Sequence, residues 1–349
     1  LIFGYLGDTK GRSFTLQYTM VGIAIPTFMV GLLPGYERWG WGAVALLIFC
    51  RMLQGIFKAG EADGIRIYVF EQFGRKHPCL ISSSISCSAY VGIGLASLVA
   101  SQVPTEGETW RWVFFGSSIC SIPVYLLRSH LVETPPFLQF QKNSQHPISL
   151  KNIVRAYWPS LIQTIMICGA AGGIYQFYLV FQGTYLSRVL NLIPSELAIQ
   201  YSLSLITLDV FALLLAGWAA DRWGYARVGK TGGMMTVGLA VINILVSVDG
   251  MVFFPLMVLT TVSMVFFVAP AYLFVTQQYD VGIRFRCLSL GHTFGSMLFS
   301  GTTPVICLFL WQATGLSYAP FLYFLFLVAM GLSAFLWRAK ENAYNAWFL

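Results

Sequence analysis

The sequence predicts an all-α polytopic membrane protein, and three observations carry that prediction. Hydrophobic residues make up 57% of the chain and charged residues only 10%, with a mean hydropathy of +0.70. A soluble domain carries about 25% charged residues, and so sparse a set could not cover a water-facing surface of this size. Apolar runs of about 18 residues or more recur along the chain, the length that crosses a bilayer core as a helix. Their period is helical rather than alternating, and they are too long for the strands of a membrane barrel.

Each run fixes one element. A stub ends near Leu6. Full spans follow at about 14–34, 41–61, 80–102, 112–128, 157–181, 200–220, 231–249, 251–275, 287–311 and 317–337. The longest polar connection, SHLVETPPFLQFQKNSQHPISLKNIVRAY from Ser129 to Tyr157, divides the chain near its middle. This predicts a first half-bundle over 1–128, a central loop over 129–156 and a second half-bundle over 157–349. The first residue is Leu and the chain opens inside an apolar segment, so we expect further sequence upstream.

The net charge of +7 would suggest nucleic acid in a soluble protein. Here the cations fall between spans and report topology instead. If the first turn lies inside, the inside set holds Lys10, Arg12, Arg75, Lys76, Arg128, Lys142, Lys151, Arg155, Arg222, Arg227, Lys230, Arg284, Arg286, Arg338 and Lys340, against Arg38, Arg111 and Arg188 outside. The turns at 7–13 and 221–230 and the loop at 129–156 are therefore expected to be cytoplasmic. The seven cysteines lie mostly within apolar runs, without a CxxC or a His cluster, and read as small buried hydrophobes rather than metal ligands or disulfides.

Two polar turns share a pattern. GYLGDTKGRS, Gly4 to Ser13, and GWAADRWGYARVGK, Gly217 to Lys230, each place an Asp four residues after a Gly and another Gly three residues further on. Asp8 and Asp221 sit where a helix ends, and an Asp there can cap a neighbouring helix and pair with an Arg. The first turn resembles the loop signature of the major facilitator superfamily, G-x-L-[AG]-D-[RK]-x-G-R-[RK]. The second copy departs from it at Tyr225, where an Arg is expected. RMLQGIFKAGEADGIRIYVFEQFGRK, Arg51 to Lys76, resembles the fourth-span block of the metabolite:proton symporters, the subfamily of proline/betaine, α-ketoglutarate and shikimate permeases. TWRWVFF, VETPPF and IRFRCLSLGHTFGSMLFSGTTPVI are similar to three further blocks of that subfamily, in the same order.

This resemblance implies the major facilitator fold, two six-helix halves related as parallel repeats, here lacking the first span and most of the second. It implies a cytoplasmic latch made by Gly4, Asp8, Gly11 and Arg12 and by Asp221, Arg222 and Gly224, which must release during transport.

Within the span at about 41–61, Arg51, Gln54, Lys58 and Glu61 fall in an arc of about 80°. A charge facing lipid at mid-depth costs at least about 2.5–3.5 kcal/mol, so this stripe is expected to face the bundle interior or a wet cavity. Arg51 lies about 15 Å along from Trp41, near the midplane, and is a candidate for the substrate or proton path. Lys58 stands where the family has a small residue; it either favours an anionic substrate or pairs with Glu61 three residues on. Asp209 lies about 18 Å deeper than Asp221, a lone carboxyl suited either to proton carriage or to hydrogen bonding between helices. His292, where the family has Tyr, either joins a proton relay or packs. Tyr175, Gln176 and Tyr178 could contact polar substrate groups or serve as packing. GYARVGKT, Gly224 to Thr231, satisfies the phosphate-loop spacing but joins two spans, without the strand that such a loop needs.

The expected activity is proton-coupled symport of a small organic acid or a zwitterion of the proline/betaine class, by alternating access in a bacterial inner membrane. The expected partners are lipid and a small-molecule substrate, with no nucleic acid, no metal and no cofactor beyond the proton gradient, in a monomer. A second reading is a truncated or sensor-like membrane protein of the same fold that does not transport. No nucleophile elbow, metal cluster or dinucleotide loop points to an enzyme.

Overall fold

The structure, a computed structural model, describes residues 2–74, 76–104, 107–143, 149–246 and 250–337. Arg75, Arg338 and Lys340 of the charge pattern, and residues 144–148 of the central loop, lie outside these. Among the described residues every regular element is helical. Apart from the single turn Tyr36–Trp39, these are, in chain order, α1 (Ile2–Thr9), α2 (Arg12–Leu32), α3 (Trp41–Phe73), α4 (Pro78–Gln102), α5 (Trp110–Ser129), α6 (Pro135–Asn143), α7 (Leu150–Val189), α8 (Ser195–Trp223), α9 (Tyr225–Leu245), α10 (Gly250–Gln277), α11 (Arg284–Thr314) and α12 (Ala319–Leu336). Nine of them are long and apolar enough to cross a membrane. The predicted span at about 112–128 is also a helix, α5, made less apolar by Arg111 and Arg128 near its ends.

Several elements exceed their predicted bounds. The stub runs to Thr9, and α3 continues twelve residues past Glu61 to Phe73. The central loop contributes α6, and α7 begins at Leu150. α7 bends at Tyr157, two residues before Pro159, and it carries two π-helical turns, Phe177–Phe181 and Tyr185–Val189. Pro26, Pro123, Pro255 and Pro270 also sit inside helices. Membrane helices tolerate this because neighbouring groups re-satisfy the freed carbonyls.

The chain packs as two compact units. One comprises Leu1–Gln72, Leu95–Ser149 and Val281–Ser289; the other comprises Phe73–Gly94, Leu150–Asp280 and Leu290–Leu349. The boundary is not sequential, because the start of α11 packs with the first unit and the start of α4 with the second. In the first unit α2 lies along α5, around a core of Val30, Leu33 and Cys50 with Met29, Leu46 and Phe114 against it. In the second, α9 lies along α10, and α7 along α12. Its core is aromatic: the Phe177 ring stands 5.0 Å from Phe324, 5.2 Å from Phe321 and 5.6 Å from Phe181, all fully buried. Lipid removes the usual hydrophobic drive between helices, so such ring packing, about 0.5–1.5 kcal/mol per pair beyond area, holds them together.

Candidate functional site

The two polar turns perform the same operation, each within its own unit. The Asp8 carboxylate accepts from the backbone N–H of Phe285 (3.1 Å) and of Arg286 (3.0 Å), which caps the start of α11. Asp221 accepts from the N–H of Cys79 (2.8 Å) and of Leu80 (2.9 Å), which caps the start of α4. These N–H groups have no partner within their own helix, and they carry the positive end of its dipole. The glycine four residues before each Asp explains the approach. A Cβ on Gly4 would stand 2.9 Å from the Arg286 Cα, and one on Gly217 would stand 2.9 Å from the Leu80 Cα. Gly11 and Gly224, at φ 115° and 92°, make the turns that follow.

The first turn also anchors a buried charge network. Arg286 pairs with Asp8 at 3.1 Å. Arg12 is fully buried; it donates to Glu71 at 3.1 and 3.3 Å, to the Gly7 carbonyl at 2.7 Å and to the Val281 carbonyl at 2.6 Å. Its guanidinium stacks 4.5 Å from the Phe137 ring centroid on α6. Glu71 further accepts from Arg284 (2.7 Å) and from the Thr134 hydroxyl (2.7 Å). Glu133 accepts from Ser13 N–H (3.1 Å) and Oγ (2.9 Å). Glu71, Glu133 and Arg284 were not assigned from sequence, although each stands inside a quoted block. The second turn is sparser: Arg222 stacks over Trp218 at 5.5 Å, and His77 approaches Asp221 at 3.9 Å.

Burial pushes the Asp8 carboxyl up to about 6, against the pull of Arg12 and Arg286. A value above the ordinary 3.8 means that the packed carboxyl takes up its proton more readily than an exposed one. Packing here therefore strengthens as pH falls from about 6 toward 3.8, and that gain is lost above about 6. The difference in melting temperature between the parent and Asp8→Asn is expected to move in the parent's favour from about pH 7 to about pH 5. An unchanged difference in detergent melts refutes the assignment.

The polar stripe on α3 splits into two edges. Gln54 donates to Thr27 Oγ1 (2.9 Å), and Glu61 accepts from Thr19 Oγ1 (2.6 Å), both partners lying on α2. Glu61 also pairs with Arg128 of α5, so the pairing with Lys58 left open by sequence is not the one formed. The other edge carries Arg51 and Lys58, both exposed, with open space beside Gly55 between them. Arg51 donates to Gln54 Oε1 (3.1 Å) and lies 5.7 Å from the Phe114 ring centroid.

In the second unit Asp209 of α8 is fully buried, and neither carboxyl oxygen has a hydrogen-bond partner. Tyr90 of α4 and Tyr178 of α7 lie within its electrostatic field. His292 packs edge-on to Tyr272, with ring centroids 6.2 Å apart, and Tyr175 packs likewise on Tyr90 at 5.5 Å. The phosphate-loop spacing at Gly224 to Thr231 falls at a junction of two helices, α9 beginning at Tyr225, so no strand-to-helix cradle forms.

Membrane-length helices, polar turns that cap helices far along the chain, and charged groups buried among the spans define a polytopic membrane protein of transporter type. The sequence signature of the Major Facilitator Superfamily matches residues 1–286, and the chain belongs to that family. Its relatives are transporters and not enzymes. The ectoine/proline transporter ProP of Corynebacterium glutamicum is 28% identical, over 98% of this chain and 72% of its own length. A proline/betaine transporter of Escherichia coli is 28% identical, over 95% and 70%. Among solved structures, the Escherichia coli fucose:proton symporter FucP superposes with a TM-score of 0.76 at 11% identity, over 98% of this chain and 87% of its own. The proton:xylose symporter XylE superposes with a TM-score of 0.70 at 15% identity, over 96% and 81%.

Proposed function

We propose that the chain is a proton-coupled symporter for a small organic acid or a zwitterion of the proline/betaine class. It works by alternating access in a bacterial cytoplasmic membrane, with the turns at 7–13 and 221–230 on the cytoplasmic side. The observation that carries proton coupling is Asp209, a fully buried carboxyl with no hydrogen-bond partner. An ionised carboxylate so placed is several kcal/mol unfavourable, so the site favours a bound proton and can release it when its surroundings become wet. The substrate class is supported by the two curated relatives named above and by the exposed Arg51 and Lys58, cations suited to a carboxylate. The Asp8 and Asp221 caps are read as contacts that break and re-form as the transporter cycles.

The test is uptake by reconstituted protein under an inward proton gradient, with radiolabelled proline, glycine betaine and α-ketoglutarate. One of these is expected to accumulate above its outside concentration, and a protonophore is expected to abolish the excess. Equilibration without accumulation for all three rejects proton coupling, and no uptake above protein-free vesicles for any of them rejects the reading and favours a non-transporting member of the fold.

A further inference from the structure

Four polar side chains of the second unit face one another where α7 packs on α8, and together they leave Tyr178 Oη, Gln182 Nε2 and Oε1, Tyr201 Oη and both Asp209 oxygens without hydrogen-bond partners. Tyr178, Gln182 and Asp209 are fully buried, and Tyr201 is half-buried. At membrane depth each such group is unfavourable unless something polar meets it. Six of them in one seam are a built feature rather than scattered defects. Tyr178 and Gln182 are one helical turn apart on α7, and Tyr201 and Asp209 are eight residues apart on α8, so both pairs share a face. Tyr201 reaches toward Gln182 and Tyr178 toward Thr260, each pair close but outside full hydrogen-bond geometry, and Tyr178 lies within the field of both Tyr201 and Asp209. Tyr201 stands about 12 Å from Asp209 along α8, toward the Ser195 end. The π-helical turn Phe177–Phe181 carries Tyr178 and ends immediately before Gln182, the kind of local widening that recurs at functional sites.

We propose that Tyr201, Gln182 and Tyr178 hold a file of water that carries protons between the Ser195 end of α8 and the Asp209 carboxyl. Water is the ligand that fits: it both donates and accepts, and each of these groups needs a small partner within hydrogen-bond reach. Each transfer balances. A tyrosine hydroxyl passes its proton to the next oxygen and takes one from the water behind it, so one proton moves and the file is restored after reorientation. Gln182 has no proton to relay; its amide orients the water beside it. The proposal rests on the reading of Asp209 as the proton-carrying group, and on the Lys and Arg distribution that places the Ser195 end outside.

The test needs no substrate. In reconstituted protein moved from water to deuterium oxide, the infrared carboxylic C=O stretch lost in Asp209→Asn is followed in time as it shifts by exchange. Tyr201→Phe, Tyr178→Phe and Gln182→Leu are each expected to slow that exchange roughly tenfold or more, about one decade in rate per 1.4 kcal/mol of added barrier. Tyr185→Phe, which removes a buried hydroxyl that donates to the Ser317 carbonyl (2.8 Å), is expected to leave the exchange unchanged. A band present in the parent that exchanges at the parental rate in all three file variants overturns the water file while leaving Asp209 as the proton carrier. A parent with no such band overturns the carrier reading, and the file with it.

Discussion

Glu71→Gln is expected to lower the thermal stability of the detergent-extracted protein by the largest amount of any single conservative change in the first unit. Glu71 meets both Arg12 and Arg284, at 3.1 and 2.7 Å, with all three side chains essentially removed from solvent. In this network Asp8 pairs with Arg12 and Arg286, and Glu71 with Arg12 and Arg284. Neutralising Glu71 removes the carboxylate that Arg12 and Arg284 share. Breaking a buried pair by removing one partner costs about 3–5 kcal/mol, and here one substitution breaks two such pairs at once. Glu61→Gln is the internal control. Its pair with Arg128 keeps 15% and 18% side-chain exposure, against 3% or less for the Glu71 pairs, so losing it leaves less uncompensated charge out of solvent. The expected result is a drop in melting temperature, or in folded yield, for Glu71→Gln that far exceeds the drop for Glu61→Gln. Equal and small drops would show that this network does not hold the first unit together.

The same network marks the limit of what the sequence discloses. The spans were legible because a bilayer imposes one length and one period on every apolar helix, and each predicted span has a helix at its place. The Asp8 and Asp221 turns were legible as a repeated spacing. What they cap was not, because Arg286 lies 278 residues from Asp8 and Cys79 lies 142 residues from Asp221. Glu71 falls beyond the apolar part of α3, in a stretch whose Asp63, Arg66 and Glu71 mimic the end of a membrane helix. In the fold those polar residues are met by partners, and α3 continues through them to Phe73. The central loop hid α6 for a similar reason. Phe137 lies against the Arg12 guanidinium, and Phe140 closes on Gly282. An arc of about 80° on α3 was readable from helical geometry, but its division into a bonded edge and an exposed edge depends on where α2 lies, which no periodicity encodes. The file of unpartnered groups along α7 and α8 was equally out of reach. A tyrosine or glutamine in an apolar run looks like packing until the neighbouring helix fails to satisfy it.

Asp209→Asn is expected to abolish proton-driven accumulation without loss of stability, and the two outcomes together discriminate between roles for this carboxyl. Asn has the same shape and cannot take up or release a proton in the working range. A structural carboxyl would be held by hydrogen bonds or an ion pair, and losing them would lower the melting temperature. Asp209 has neither at its oxygens, so the substitution breaks no contact, and it removes any penalty for an ionised group at full burial. The melting temperature is therefore expected to hold or rise. Transport separates in the same way. Exchange of labelled for unlabelled solute at equilibrium needs only the moving bundles and the solute site, and it is expected to persist. Uphill uptake needs a proton to cross with the solute, and a missing proton-carrying group is worth on the order of 10²-fold or more in that rate. If accumulation survives in Asp209→Asn, the coupling group lies elsewhere. If exchange and stability fall together with accumulation, Asp209 is a packing residue, and its unpartnered oxygens report a helix contact rather than a proton site.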